Sequence, residues 1–154
     1  MTRDEIDAFL ANTDKAIPAS PIWKAESRKL ERRATLPVTV AGLSTPVKLN
    51  ITVRLDDPNY LMLGLSAPPQ FSRLCLTTGH RDRRTKKIIF DAHFHSWEAN
   101  RPKGPVLPKK LEHADPLPVA VPDRDAAFAW FINRHMITSP PWGKVAWPDP
   151  GILV

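Results

Sequence analysis

Residues 47–55 read VKLNITVRL, and this stretch decides the fold class. Successive side chains on a β-strand point to opposite faces of a sheet, so an alternating pattern marks a strand with one buried face. Here the polar side chains alternate with those of Val47, Leu49, Ile51, Val53 and Leu55. The stretch therefore predicts a half-buried antiparallel strand.

The flanking segments extend this strand into a sheet. Leu36, Val38 and Val40 alternate in the same way. Tyr60 to Leu65 is a continuous apolar run, and Phe71 to Thr77 predicts another strand. The connections are too short for parallel crossovers, and consecutive strands usually pair. We therefore expect an antiparallel β-meander of about five strands.

One helix is predicted before the meander in the sequence and one after it. Thr2 and Glu5 have the spacing of a capping box, which indicates a helix that runs to Leu10. Residues 123–136 predict a second helix, because its apolar residues and His135 lie along one stripe. The fold class expected is α+β, with the sheet packed against an N-terminal and a C-terminal helix.

Proline shapes the last third of the chain. The 154 residues include 17 prolines, about twice the usual share of ~5%, and they crowd from Pro102 onward. We expect a single domain over residues 1–137, with a proline-rich loop at 101–122. An extended tail at 138–154, which contains tryptophan, follows it.

The charge balance favours an acidic partner. The chain has 22 Lys and Arg against 16 Asp and Glu, for a formal charge of +6 and a pI near 9.8. Nucleic acid is the first partner expected and an anionic surface the second, and the plain alternative is a protein that is merely basic.

Location and redox state follow from simple counts. Cys75 is the only cysteine, which excludes an intramolecular disulfide and fits a reducing cytoplasm. It lies in an apolar run, so we expect a buried and unreactive thiol. The N-terminal stretch contains acidic residues and no long apolar core, and no apolar run in the chain approaches the ~20 residues of a membrane span. We expect a cytoplasmic protein without a signal peptide or membrane association.

Residues 87–97 read KIIFDAHFHSW and combine a strand pattern with reactive side chains. A continuous strand here would have two contrasting faces. Its core face would carry Ile88, Phe90, Ala92 and Phe94. Its other face would carry Ile89, Asp91, His93, His95 and Trp97.

This second face suggests three chemical interpretations. His93 and His95 could act as general acid and base on RNA, with Asp91 orienting one ring, because histidine titrates near neutrality. The pair could instead bind a metal with Asp91 as a third ligand. The plain alternative is two histidines that only bond to their neighbours. We expect no metal and no cofactor.

The loop Gly79–Lys87 leads directly into this segment and is strongly basic. Arginine forks suit phosphate oxygens, and an indole such as that of Trp97 could stack on a base. A solvated hairpin tip, and core packing of Trp97, are the alternatives. The candidate nucleic-acid-binding residues of the loop are His80, Arg81, Arg83, Arg84, Lys86 and Lys87.

The layout resembles small uncharacterised prokaryotic proteins of mobile or defence-associated loci, which have an aromatic-flanked H-x-H strand and a closing helix. The matching residues here are Phe90, His93, Phe94 and His95, with the helix around residues 127–137. The proline-rich segment and the tail depart from that layout. The resemblance implies a toxin–antitoxin or phage-conflict setting and no settled activity.

The leading hypothesis is a small basic bacterial or phage protein that acts on nucleic acid, with RNA favoured over DNA, as a toxin-like endoribonuclease. One alternative is a non-enzymatic protein-interaction module, such as an antitoxin, inhibitor or adaptor. A second alternative is a metal-dependent hydrolase. An exposed edge strand would also permit a homodimer.

Overall fold

A computed structural model describes residues 1–26, 28, 30–77 and 79–149. The strands are β1 (Lys15–Ala16), β2 (Lys24–Ala25), β3 (Glu31–Val40), β4 (Val47–Arg54), β5 (Leu61–Ser66), β6 (Gln70–Cys75), β7 (His80–Arg81), β8 (Ile88–Ile89), β9 (His93–His95) and β10 (Asp115–Pro116). The helices are α1 (Arg3–Ala11), α2 (Trp97–Asn100) and α3 (Arg124–Arg134). Across these ranges, no helix has the length and apolar character that a membrane crossing requires.

The strands build one large sheet and one small hairpin. The large sheet has the order β1-β3-β4-β5-β6-β9-β10, with β2 also paired to β3, while β7 pairs with β8. Each of these strand pairs is antiparallel. The predicted α+β class, with an antiparallel sheet and a helix toward each end of the chain, is confirmed. Short edge strands take the sheet beyond the five strands expected.

Helix α1 begins with the predicted capping box. The Glu5 backbone N–H donates to Thr2 Oγ1 at 3.2 Å, and the Thr2 N–H donates to Glu5 Oε2 at 2.6 Å. Ile6 and Phe9 are buried on the inner face of the helix. The ring of Phe9 meets that of Phe71 edge to face, with centroids 5.6 Å apart, so α1 packs on the sheet.

Helix α3 is capped by Asp123, whose carboxylate accepts the Ala126 N–H at 2.8 Å. The apolar stripe predicted from the sequence is buried in the core, and its members are Ala127, Phe128, Phe131 and Ile132. At its first residue, the buried Arg124 donates to backbone carbonyls at Arg54, Asp57 and Tyr60. These bonds fix the start of α3 over the turn between β4 and β5.

A register shift next to Leu65 decides which side chains of β6 enter the core. Leu65 pairs with Ser72, but Ser66 pairs with Gln70, so Phe71 is the extra residue of a β-bulge. Phe71 and Ser72 can then both be buried on the helix-covered side. Beyond the bulge, normal alternation resumes and turns Arg73 and Cys75 to the opposite side of the sheet.

The continuous strand predicted over residues 87–97 is wrong. The structure contains two short strands instead, β8 in the hairpin and β9 in the large sheet, separated by non-strand residues. Ile88 and Phe90 are 57% and 71% exposed, whereas the prediction placed both in the core. Alternation fails here because the chain leaves the sheet after β6 and returns only at His93. Phe94 is buried, as expected.

The described part of the tail, residues 138–149, packs against the rest of the chain through its indoles. Trp142 Nε1 donates to the Ile17 carbonyl at 3.0 Å, and Trp147 Nε1 donates to Asp125 Oδ1 at 2.9 Å. Val145 between them is buried. The tail residues after 149 lie outside the described part of the chain.

His135 is a buried neutral imidazole at the end of α3. Its Nδ1 lies 2.8 Å from the Phe131 carbonyl and its Nε2 lies 2.9 Å from Ser72 Oγ. Nδ1 therefore carries the proton, and Nε2 accepts from the hydroxyl. Burial lowers the pKa of His135 to about 4.

This histidine makes stability depend on pH. Between pH 6.5 and 4 the unfolded chain binds a proton at His135 that the folded chain does not, so the free energy of unfolding falls on acidification. In urea titrations over this range, His135→Gln should flatten the fall by up to about 1.4 kcal/mol per pH unit. Parallel curves for the two proteins would contradict this assignment.

Candidate functional site

Two rows of side chains cross the face of the sheet that lies opposite the helices. The strand register aligns Asn50, Gly64, Arg73 and His95 in one row. The adjacent row contains Thr52, Met62, Cys75 and His93. Both histidines lie on β9, next to the short edge strand β10, so this end of the polar face carries two histidines beside a thiol and a guanidinium.

A cluster of three imidazoles lies at this end of the sheet. The His93 and His95 ring centroids are 5.2 Å apart, and His80 from β7 lies 5.6 Å from the first and 4.5 Å from the second. His93 is 1% exposed and His95 is 0% exposed. The two histidines predicted from the sequence are therefore side by side but covered. We call Cys75, His80, His93 and His95 the histidine–thiol cluster.

Hydrogen bonds define the tautomers of two of these rings. His93 Nδ1 lies 2.9 Å from the Asp91 backbone carbonyl, so Nδ1 carries a proton, and in the neutral ring the lone pair is on Nε2. His95 Nε2 lies 3.0 Å from Arg73 Nη2. A guanidinium only donates, so His95 Nε2 is an acceptor. The His95 ring is therefore neutral in this arrangement.

Burial and the adjacent cation keep these rings neutral. Burial lowers the pKa of His93, and it lowers the pKa of His95, with help from the Arg73 charge, to about 3. A general acid at neutral pH has to hold a proton, which these surroundings oppose. Neutral imidazole is instead the form that binds metal ions.

Three residues of the cluster have atoms suited to a common metal ion. Cys75 Sγ and one ring nitrogen from each of His93 and His95 all lie within 4.8 Å of one another. All three residues are buried. Sequence reasoning gave Asp91 the third ligand position, but the cross-strand register places Cys75 opposite His93. No local sequence pattern predicted that Cys75 lies beside His93, because strand register depends on the whole sheet.

The β7–β8 hairpin and the segment around Leu111 cover the cluster, and Asp82 joins them. This buried carboxylate accepts the backbone N–H groups of Arg84 and Thr85 at 2.8 Å and of Ala114 at 3.0 Å. Burial by itself would raise the pKa of Asp82, but the three backbone donors outweigh it and hold the pKa well below the usual range. Asp82 is thus an ionised anchor.

Two further contacts strengthen this cover. His80 Nε2 lies 3.1 Å from the Glu112 carbonyl, and Arg83 Nη1 lies 2.8 Å from the Glu112 carboxylate. Leu111, the residue before Glu112, is buried. The hairpin that carries the basic residues is therefore attached to the middle of the proline-rich segment.

A basic cavity of about 480 Å³ opens beside the cluster. Among the described residues, one carboxylate lines it, that of Glu112, and the five cationic side chains are those of Arg73, Arg81, Arg83, Lys109 and Lys110. An adjoining cavity of about 520 Å³ shares the last three of these cations. The loop cations were predicted from the sequence. Lys109 and Lys110 were not among the predicted site residues, although a basic pair within a proline-rich segment was a readable signal.

The remaining predicted site residues are exposed, except for Trp97, which is buried away from the basic loop. Arg84, Lys86 and Lys87 are exposed in the hairpin turn. Asp91 is exposed, and its backbone carbonyl rather than its carboxylate contacts His93. Trp97 is buried and its Nε1 donates to Asp7 Oδ1 at 2.7 Å, so it is not a platform beside the basic loop. The structure thus brings Arg81 and Arg83 together with His80, and separates Trp97 from them.

The chain matches no protein-family model, no curated protein and no solved structure. The resemblance to proteins of mobile or defence-associated loci stays a prediction.

Asp82→Asn should loosen the cover over the cluster. The amide keeps one carbonyl oxygen but directs an N–H₂ group at backbone donors, and it removes the charge from these hydrogen bonds. Amide hydrogen exchange at Arg84, Thr85 and Ala114 should accelerate at least tenfold. Asp91→Asn, which alters an exposed carboxylate nearby, should leave these rates unchanged. Equal protection in wild type and Asp82→Asn would show that the cover is held by other contacts.

Proposed function

We propose that the protein binds single-stranded nucleic acid, with RNA favoured over DNA. The binding site is the basic surface, which we define as Arg81, Arg83, Lys109 and Lys110 around the 480 Å³ cavity. The observation that carries the proposal is the convergence of these four cations from two separate segments on one open cavity.

The charges of this surface suit a polyanion. Arg83 is paired with Glu112, the acidic side chain among the described residues that line the cavity, and both partners are exposed to solvent. Arg81, Lys109 and Lys110 are exposed. The turn adds Arg84, Lys86 and Lys87, and the whole chain carries a formal charge of +6. Phosphates that run along such a surface would release counterions, which favours association at low salt.

An exposed aromatic ring on the same hairpin favours a single strand over a duplex. Phe90 directly follows β8 and its ring is largely exposed, next to the backbone of Gly79. Aromatic rings among cations provide stacking platforms for unpaired bases. Sequence-specific RNA recognition uses such unstacked bases, which is the reason for preferring RNA. Phe90 takes the role that the sequence suggested for Trp97.

The geometry supports binding more directly than cleavage. His93 and His95, the expected acid and base, are covered by the hairpin and are neutral. A phosphodiester on the basic surface would reach them only after the cover had moved. The endoribonuclease hypothesis therefore also requires that the cover opens. Intact RNA after prolonged incubation would contradict that hypothesis without affecting the binding proposal.

Removing the lysine pair should weaken RNA binding. Lys109→Ala/Lys110→Ala should lower the affinity for a labelled single-stranded RNA in fluorescence anisotropy. It should also reduce the slope of log affinity against log salt by ~1.4, since each phosphate contact on a single strand contributes ~0.7. The matched control is Lys48→Ala/Lys144→Ala, which removes the same charge from exposed sites elsewhere. Equal losses in both variants would reduce the effect to net charge and contradict a defined site.

Phe90→Ala should weaken RNA binding by a different route. Loss of one stacked base costs ~1–3 kcal/mol, roughly a fivefold to 150-fold loss of affinity. Because stacking involves no charge, the salt slope should remain that of wild type. Ile88→Ala removes an exposed apolar side chain from the same hairpin and serves as the control. If both substitutions weaken capture of a protein partner while RNA binding is undetectable, the protein-interaction alternative replaces this proposal.

A further inference from the structure

We propose that Cys75, His93 and His95 bind one thiophilic divalent metal ion, zinc by chemical preference, in a closed structural site. The inference is independent of nucleic-acid binding, because it concerns the buried cluster beneath the basic surface. It begins from the three ligand atoms that lie within 4.8 Å of one another.

The donor set selects the class of metal. A thiolate with neutral imidazoles suits zinc and its neighbours, while calcium and magnesium prefer oxygen ligands. At zinc–sulfur and zinc–nitrogen distances of about 2.3 and 2.1 Å, ligand atoms in a tetrahedral site lie roughly 3.5 Å apart. The three atoms thus need to close by about an ångström, which is within the reach of side-chain rotation at adjacent strand positions.

His93 is already oriented as a metal ligand. Its Nδ1 donates to the Asp91 carbonyl, which leaves the Nε2 lone pair available. Metal-binding histidines typically donate their other nitrogen to a carbonyl or carboxylate in this way, because it fixes the ring and its tautomer. The partner is a backbone group, so it is retained whatever residue occupies position 91.

His95 provides the second, independent observation. The residue is fully buried, and its Nδ1 has no hydrogen-bond partner among the described residues. The Leu111 backbone lies near the ring but outside hydrogen-bonding geometry. A buried ring nitrogen without a partner costs about 1–3 kcal/mol. A metal bound at Nδ1 would remove this cost once the proton that the neutral ring holds there has moved to Nε2.

Arg73 competes with the metal for His95. Its Nη2 donates to His95 Nε2, and its own Nε is buried without a partner in the described ranges. A metal on His95 Nε2 would take the lone pair that Arg73 uses. A metal on Nδ1 would leave a proton on Nε2 facing the guanidinium. Either arrangement requires Arg73 to turn away, and its side chain already lines the adjoining basic cavity.

His80 is the candidate for the fourth ligand position. Its ring lies over both histidines of β9, and its Nε2 donates to the Glu112 carbonyl, which leaves Nδ1 as the ligand atom. It lies outside the set of atoms within 4.8 Å, so it would have to approach. A Cys–His₃ site without an open position would be structural and would tie the hairpin to the sheet.

The first test measures metal binding directly. Full-length protein kept reduced with a non-chelating reductant is titrated with cobalt(II), and then with zinc against a competing chelator. We expect one equivalent of metal, tetrahedral cobalt absorption and a thiolate-to-cobalt charge-transfer band. Zinc should also raise the midpoint of thermal unfolding. Absence of the charge-transfer band in wild type overturns the proposal, whatever the variants do.

Variants assign the ligands. Cys75→Ala should abolish the charge-transfer band, and His93→Ala and His95→Ala should each weaken zinc binding by at least tenfold. The control is His135→Gln, which alters a buried histidine bonded to Ser72 on the opposite face and should bind zinc normally. Wild-type affinity in Cys75→Ala would overturn the assignment.

The Arg73→Ala variant tests whether Arg73 competes with the metal or has a merely structural role. Its outcome does not depend on whether the ligand variants fold. Loss of the competing guanidinium should tighten zinc binding by tenfold or more, since the hydrogen bond that has to be broken is absent. A purely structural Arg73 would give unchanged or weaker binding in this variant, and that result would contradict the competition.

Discussion

The pairing of β9 with β6 is the constraint on which the other features depend. A slip of one residue would exchange the two faces of β9, since strand side chains alternate. In the observed register His93 lies opposite Cys75, and His95 lies opposite Arg73. Phe94, between the two histidines, then enters the core beside Phe131, with ring centroids 6.3 Å apart. One register thus builds both the histidine–thiol cluster and the end of the hydrophobic core.

The two faces of the sheet are covered by different means. Helices α1 and α3 cover one face with apolar side chains. On the other face, where β9 lies next to the edge strand β10, a hairpin and an irregular segment cover the histidines, and polar contacts of Asp82 and Glu112 join them. The same covering segments expose their cations outward. The basic surface and the buried cluster are therefore two sides of one cover, and a change in how the hairpin sits would affect both.

Local patterns in the sequence predicted the main strands and helices well. They could not predict which distant residues the fold brings together. Alternation over residues 47–55 and the capping box at Thr2 each reflect neighbours within a few positions, and these features are present. The same alternation failed at Phe90, because backbone bonds between Asp82 and Lys87 close a hairpin and interrupt the strand. Likewise, the proximity of Cys75 to the histidines comes from sheet register, for which a single sequence has no local signal.

The burial of Cys75 has a practical consequence for the dynamics of the molecule. As the only cysteine in the chain, and 2% exposed, it can react with a soluble thiol reagent only when the surrounding chain opens. Such openings are local unfolding events whose free energies range from near zero to the global stability. The alkylation rate of the native protein therefore reports how often the polar face uncovers, without any engineered label. Cys75 is therefore an intrinsic probe of that motion.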